Sequence, residues 1–437
     1  MQMTRRDLMA AGAVAGTAVA ITGTADAAPA AVGSVAVDSA GISADLDRYL
    51  SFGVKRSGGP GDEATGVWLE GRLKALGYAC DRQAIDVPCI EAETCDLTLA
   101  DGVVVPLLAQ APWVATPAGG LSGLLFDPAT GQGDLAVIRL SHARWSTTVG
   151  AEIQGALAAA RSKGATGVIL ITTGPSGEAL ALNALPEAPG PGDPSVAILA
   201  PKDAAPVLAA LAKGETGRLR LTGEIGRRPA WNLIGRLDRG EKDWLVVSTP
   251  RSGWFACGGE RAPGVAVWLD LAAWAARGQH RLNIALLATS GHEFENHGGH
   301  QAIATAMPGP DQTALWLHLG ANVAARDWHE AGGRLSPLPS ADAQRYLLAS
   351  DALLPAAREA FAGQPGLEAA YPLSRGAAGE LGEIAKAGYP AAIGIFGAHR
   401  LHHARIDDAR ALHPPLVVQA AEGARRFLEQ TLKRHLA

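Results

Sequence analysis

Apolar and polar positions along the 437-residue chain follow two alternating periods. Near the N-terminal end, "ISADLDRYLSFG" and "GDEATGVWLEGRLKALGY" space their apolar residues as helices do; the second stops at Gly77, before a predicted strand in "CDRQAIDVP". From Pro117 short β runs take over: "GLSGLLFD", "DLAVIRL", "GATGVILITT" and "PSVAILAP". A helix, "IQGALAAARSKGA", separates the second and third of these, and another, "KDAAPVLAALAKG", precedes the run "GRLRLTGEI". From Trp231 the strands "WNLIGRLD", "DWLVVST", "LNIALLATS", "ALWLHLGAN" and "PAAIGIFG" interleave with helices, the last being "HPPLVVQAAEGARRFLEQTLKRHL". A helical stretch is predicted over "ADAQRYLLASDALLPAAREAFAG". This order predicts an α/β sandwich with a mostly parallel central sheet flanked by helices. The main domain is expected over 35–116 and 228–437, with a small α/β insert over 117–227. Sites in such folds collect beyond the carboxyl ends of strands, here after Ser248, after Ser290, at His318 and after Phe396.

Composition adds that 48% of residues are hydrophobic and 19% charged, enough apolar material for a large core. A net charge of -5 without a basic run argues against nucleic acid as a partner. At the N-terminus, Arg5-Arg6, a weakly apolar run and Ala25-Asp26-Ala27 fit a twin-arginine signal over residues 1–27, so the mature chain is expected in the periplasm or secreted. No later segment is long and apolar enough to span a membrane. Of four cysteines, Cys80, Cys89 and Cys95 lie close in sequence, and an oxidising compartment permits one bridge, most simply Cys89 to Cys95. Cys257 stands alone.

Candidate chemistry centres on "TSGHEFENHGGH", from Thr289 to His300. It is not the His-Glu-x-x-His zinc helix, because His292 and His297 are five apart and Gly298-Gly299 follow at once. With the other strand-end segments it resembles the zinc aminopeptidase family that includes bacterial leucyl aminopeptidases, glutamate carboxypeptidase and glutaminyl cyclases. The segments "AAARSKGATGVILITT" and "PSVAILAPKDAAPVLAAL" resemble the protease-associated insert of some secreted peptidases. The resemblance implies a three-layer zinc-exopeptidase sandwich and assigns roles residue by residue. The family's bridging aspartate falls on Glu260 of "ERAPGVA". Its Glu-Glu pair, general base then ligand, falls on His292-Glu293. Its later aspartate falls on His318, and its C-terminal histidine on His403, with His402 as the alternative register. The positions of its His-x-Asp motif hold Pro250 and Ser252.

The resemblance thus implies one zinc ion held by Glu260, Glu293 and His403, with His318 as a fourth ligand or supporting partner and Asp407 orienting the His403 ring. His292, an imidazole in the base's place, would carry the proton. Arg251, Trp254, Arg261, Cys257, Tyr371 and Arg375 are the candidates for substrate contact, and His297 and His300 are expected away from the metal. The expected function is hydrolysis of an amide or peptide-like bond in a small substrate. The rivals are a cyclase or lyase driven by His292, and a binding protein without turnover.

Overall fold

The computed structural model describes residues 36–278 and 281–433, so the expected signal segment lies outside the described residues. Two helices open the fold, α1 (Ser39–Ser51) and α2 (Pro60–Ala75), followed by a strand of 21 residues, β1 (Ala79–Leu99). Short strands β2 (Val104–Pro106) and β3 (Leu108–Ala109) lead into a second α/β unit. It contains β4 (Leu121–Phe126), β5 (Leu135–Arg139), α3 (Ala151–Ser162), β6 (Gly167–Ile171), β7 (Ser195–Leu199) and α4 (Ala205–Ala212). The chain returns along β8 (Thr216–Leu237), 22 residues long.

Beyond it come β9 (Trp244–Pro250), α5 (Ala262–Arg277), β10 (Asn283–Thr289), α6 (His297–Thr305) and β11 (Thr313–Leu319). A separate hairpin, β12 (Arg326–Ala331) and β13 (Arg334–Ala341), precedes β14 (Arg345–Ala349) and α7 (Leu354–Ala360). The chain closes with β15 (Tyr371–Pro372), α8 (Glu380–Lys386), β16 (Ala392–Gly397) and α9 (Pro414–Thr431).

The main sheet runs β15-β14-β16-β11-β9-β10-β8-β1, parallel through β16, β11, β9 and β10 and antiparallel at β14/β16, β10/β8 and β8/β1. Its central strands are apolar on both faces. Leu245 and Val247 of β9 and Ile284 and Leu286 of β10 pack towards α1, α2, α5 and α9. The alternate residues Val246, Ala285 and Leu287 pack towards α6 and α8. That is the period-two pattern of a strand covered by helices on each side, and it produces the three-layer α/β sandwich that the sequence predicts. Among the described residues no helix is long and apolar enough to cross a membrane.

Three stretches differ from expectation. "GRLRLTGEI" and "WNLIGRLD" are one strand, β8, despite Gly226 and Pro229, because every residue from Gly217 to Arg236 has a partner on β1, Pro229 pairing with Asp86. Arg345–Ala349, read as helix, is strand β14, since its apolar residues fill the sheet beside β16. The third concerns the thiols: Cys80, Cys89 and Cys95 all lie on β1 and are free. Six extended residues span about 20 Å, far beyond the ~7 Å limit for a disulfide. No bridge joins Cys89 to Cys95.

Candidate active site

The parallel strands β9, β10, β11 and β16 end on one edge, and their following loops meet there. The Glu260 loop is closed onto the loop after β16 by backbone contacts that only glycine permits. A Cβ on Gly258 would lie 2.2 Å from the Asp408 carbonyl oxygen, and one on Gly259 would lie 2.7 Å from His399. With that approach allowed, the Asp407 carboxylate accepts hydrogen bonds from the amides of Gly259 (2.7 Å) and Glu260 (3.1 Å). Asp407 therefore fixes the Glu260 backbone and faces His399 at 3.4 Å, rather than orienting His403 as the sequence suggested.

Glu260, His402 and His403 form a buried group whose ligand atoms lie within 4.8 Å of one another. Burial alone would raise the Glu260 carboxyl, but Arg261 and the two imidazoles hold it well below the usual range. His403 has φ +61° and packs its ring on His402 at 3.9 Å. Its Nδ1 lies 2.7 Å from the carbonyl oxygen of Ala181, a group that can only accept, so Nδ1 carries a proton. That leaves Nε2 turned to Glu260 Oε1 at 3.3 Å. His402 is held neutral by burial and by its His403 neighbour. The atoms His402 Nδ1, His403 Nε2 and Glu260 Oε1 are all buried without a hydrogen-bond partner. Such atoms are costly to bury unless a cation joins them. One carboxylate and two imidazoles are a donor set that suits zinc with an open position. Arg261 stands beside the same oxygen, its guanidinium 2.8 Å from Glu260 Oε1, and supplies one compensating charge.

Glu293 is not in this group. Its carboxylate accepts from the Ser57 amide (2.9 Å), the Ser57 hydroxyl (2.7 Å) and the Ser252 hydroxyl (2.6 Å). With its lone pairs so engaged, it ties the α1–α2 connection to the β9 loop, and His402 is the third member in its place.

The opposite side of the site is a second ionisable group. His292 Nδ1 faces Glu380 Oε1 at 3.4 Å, and the Thr289 hydroxyl donates to that oxygen at 2.6 Å. Burial would raise the Glu380 carboxyl, but His292, His318 and Thr289 together bring it below its ordinary value. His318 sits near the end of β11, its Nδ1 2.9 Å from the Ser248 hydroxyl, which also accepts from the Trp316 indole at 2.7 Å. The serine oxygen thus links the indole and the His318 ring in one buried hydrogen-bonded chain. His318 is thus placed with His292 and Glu380, not with Glu260.

Burial lowers His318 from 6.5 to about 4. The unfolded imidazole takes up its proton near 6.5 and the folded one only near 4, so between these values the unfolded chain binds more protons. Stability is therefore expected to fall as pH drops through that interval, by about 3 kcal/mol from this group. Denaturant midpoints of the wild type and His318→Gln at pH 7 and pH 4.5 check this. The variant should lose less over the same range.

Both groups open onto one cleft of about 310 Å³, walled by His292, His318, His402 and His403 and by the rings of Tyr346 and Phe396, 5.8 Å apart. The second α/β unit roofs it with Ser146, Thr147 and Asn183. Thr147 hydrogen-bonds Glu295 across the junction, and Arg144 pairs with Asp342 at 2.7 Å.

None of the six residues expected to touch substrate lines this cleft. Arg251 is fully buried, paired with Asp62 at 3.0 Å and donating to the carbonyls of Ala288 and Trp231. Trp254 packs edge-on to Trp113 and Phe294. Arg261 is turned inward to Glu260 and the Ser252 carbonyl. Cys257 is buried with φ +55°, and burial, with Glu260 and Asp407 nearby, pushes its thiol well up, the reverse of an activated nucleophile. Tyr371 and Arg375 lie at the outer strand β15 and the turn after it. As expected, His297 and His300 stay clear of the cluster, on α6. Sequence reasoning missed Ser57 and Tyr346, which no motif marks, and used Phe396 only as a strand end.

No family model and no curated protein matches the chain in sequence. Solved structures do resemble it. A zinc aminopeptidase from Bacillus subtilis superposes with a TM-score of 0.72 at 15% identity, covering 93% of this chain and 98% of that one. A peptidase M28 precursor from Shewanella amazonensis gives 0.71 at 16%, covering 92% and 94%. An aminopeptidase from an Aneurinibacillus strain gives 0.64 at 15%, covering 90% and 94%. Over nearly its whole described length, the chain has the fold of the zinc aminopeptidases.

Proposed function

We propose that the protein is an exported hydrolase of an amide or peptide-like bond in a small substrate, working with a single metal ion held by Glu260, His402 and His403. The observation that carries this reading is the trio of buried donor atoms, one carboxylate oxygen and two imidazole nitrogens, gathered behind the cleft wall that His402 and His403 form. A zinc ion held there would supply Lewis-acid polarisation of a carbonyl oxygen. The remaining work falls to the chain's own residues. Glu380, kept ionised, accepts from His292 Nδ1–H and so leaves His292 Nε2 with its lone pair free. That nitrogen takes a proton from the attacking water and returns it to the departing amine. Tyr346 and Phe396 offer an apolar surface for the substrate, and the second unit's Ser146, Thr147 and Asn183 limit water entry from above.

Metal analysis of the purified protein tests the reading. Near one zinc per chain is expected in the wild type, lost in His402→Ala but kept in Glu293→Ala, because Glu293 is engaged by Ser57 and Ser252. Retention in the first variant and loss in the second would sink the proposed ligand set.

One observation favours a second reading, non-hydrolytic acid–base chemistry by His292 and Glu380 without metal. Arg261 already offsets the Glu260 charge, so a metal-free protein that releases product with no water added would support it.

A further inference from the structure

We propose that Gln110 is a positioning residue of the site, acting through a strap of the second α/β unit, residues 180–184, that sets which nitrogen of His403 faces Glu260. The strap is almost wholly buried, and its backbone groups are used alternately on its two sides. On one side Ala181 holds His403 twice: its amide donates to the His403 carbonyl at 3.0 Å, and its carbonyl accepts from His403 Nδ1 at 2.7 Å. On the other side Gln110 grips Leu182 through its side-chain amide. Its Nε2 donates to the Leu182 carbonyl at 2.8 Å, and its Oε1 accepts from the Leu182 amide at 2.9 Å. Gln110 is itself 2% exposed and anchored by a further bond from Nε2 to the Ala111 carbonyl at 2.7 Å.

The strap's ends are pinned as well. Leu180 donates to the Thr172 hydroxyl at 3.0 Å, the Trp254 indole donates to Asn183 at 3.0 Å, and Ala184 donates to the Glu293 carbonyl at 3.0 Å.

This much fixation meets a physical need. A non-glycine residue in the left-handed region is held there against crowding of its Cβ, and His403 has φ +61°. An imidazole whose Nδ1–H is engaged has its lone pair on Nε2, the atom facing Glu260. Freed from Ala181, the ring can carry its proton on Nε2 and hydrogen-bond Glu260, which removes it as a ligand. Hydrogen-bond partners of ligand histidines change metal affinity by about ten- to a hundred-fold. The second unit is therefore part of the site, and Gln110 reaches His403 without touching it.

The test uses the full chain and the variant Gln110→Met, which keeps side-chain volume and removes both bonds to Leu182. Nitrogen-15 spectra of the histidine rings in metal-free protein report the tautomer, the His403 signals being those absent from His403→Gln. Wild type is expected as the Nδ1–H form and Gln110→Met as a mixture, with zinc affinity, read by chelator competition, down about ten- to a hundred-fold. The affinity arm rests on the single-metal reading above, whereas the tautomer arm does not; a wild type that binds no zinc ends that reading and leaves the tautomer to decide this one. Trp254→Phe, which keeps an aromatic ring against Trp113 and Phe294 and removes the one strap bond to Asn183, should shift both readouts the same way by less, and it carries the test if Gln110→Met does not fold. An Nε2–H wild type, or variants with the wild-type tautomer, would overturn the proposal.

Discussion

If the proposed metal site is right, replacing Glu260 by glutamine is expected to abolish metal binding and to destabilise the protein by about 3–5 kcal/mol, the penalty for leaving a buried charge without its partner. The two effects have separate origins. Metal loss follows from removing the one anionic donor in a group otherwise made of two imidazoles. The stability loss follows from Arg261, which is fully buried and faces Glu260 Oε1 at 2.8 Å. Denaturant melts and metal analysis on Glu260→Gln and on the double variant Glu260→Gln/Arg261→Met separate them. Stability should return in the double variant because the orphaned cation is gone, while zinc should not. If the single variant keeps both its zinc and its midpoint, Glu260 is neither a ligand nor a charge partner.

The second large effect concerns His292. Its replacement by alanine should lower kcat/KM by about 10²–10⁴-fold, the usual contribution of a general acid–base. Zinc content should be unchanged, since His292 lies with Glu380 and outside the Glu260 group. Glu380→Gln should give a smaller loss, because the amide can still hold the ring but cannot stabilise its protonated form. A His292→Ala enzyme with full turnover would assign the proton to another group.

How much of this was legible in the sequence depends on which residues are asked. The α/β sandwich was, because β9 and β10 carry unbroken apolar runs, Leu245–Val247 and Ile284–Ala288, and lie between periodic helices. So was the edge on which the site forms, since Glu260, His292, His318 and His403 each follow or end a strand. The membership of the buried Glu260 group was not. His402 joins that group and Glu293 stays out of it through contacts that no spacing encodes. Ser57, more than two hundred residues upstream, occupies the Glu293 carboxylate, and the left-handed turn at His403 brings it and His402 face to face. The same holds for Arg251 and Arg261. Arginine in a polar loop reads as a surface clamp, and only the packed structure shows both turned inward to Asp62 and Glu260.

The two longest strands also bear on how this chain reaches its fold. Along the β1–β8 ladder, Leu99 pairs with Gly217 at one end and Ala79 with Arg236 at the other. The loop closed by the first of these pairs is the second α/β unit itself. If that unit condenses first, its own packing draws the strand ends together, and each further pair forms without a new long-range search. The interruption of the main domain then becomes a nucleus from which the ladder zips towards β10. Deleting it would leave β1 and β8 to find each other across an unstructured chain, and with them the sheet edge that supports Glu293 and His292.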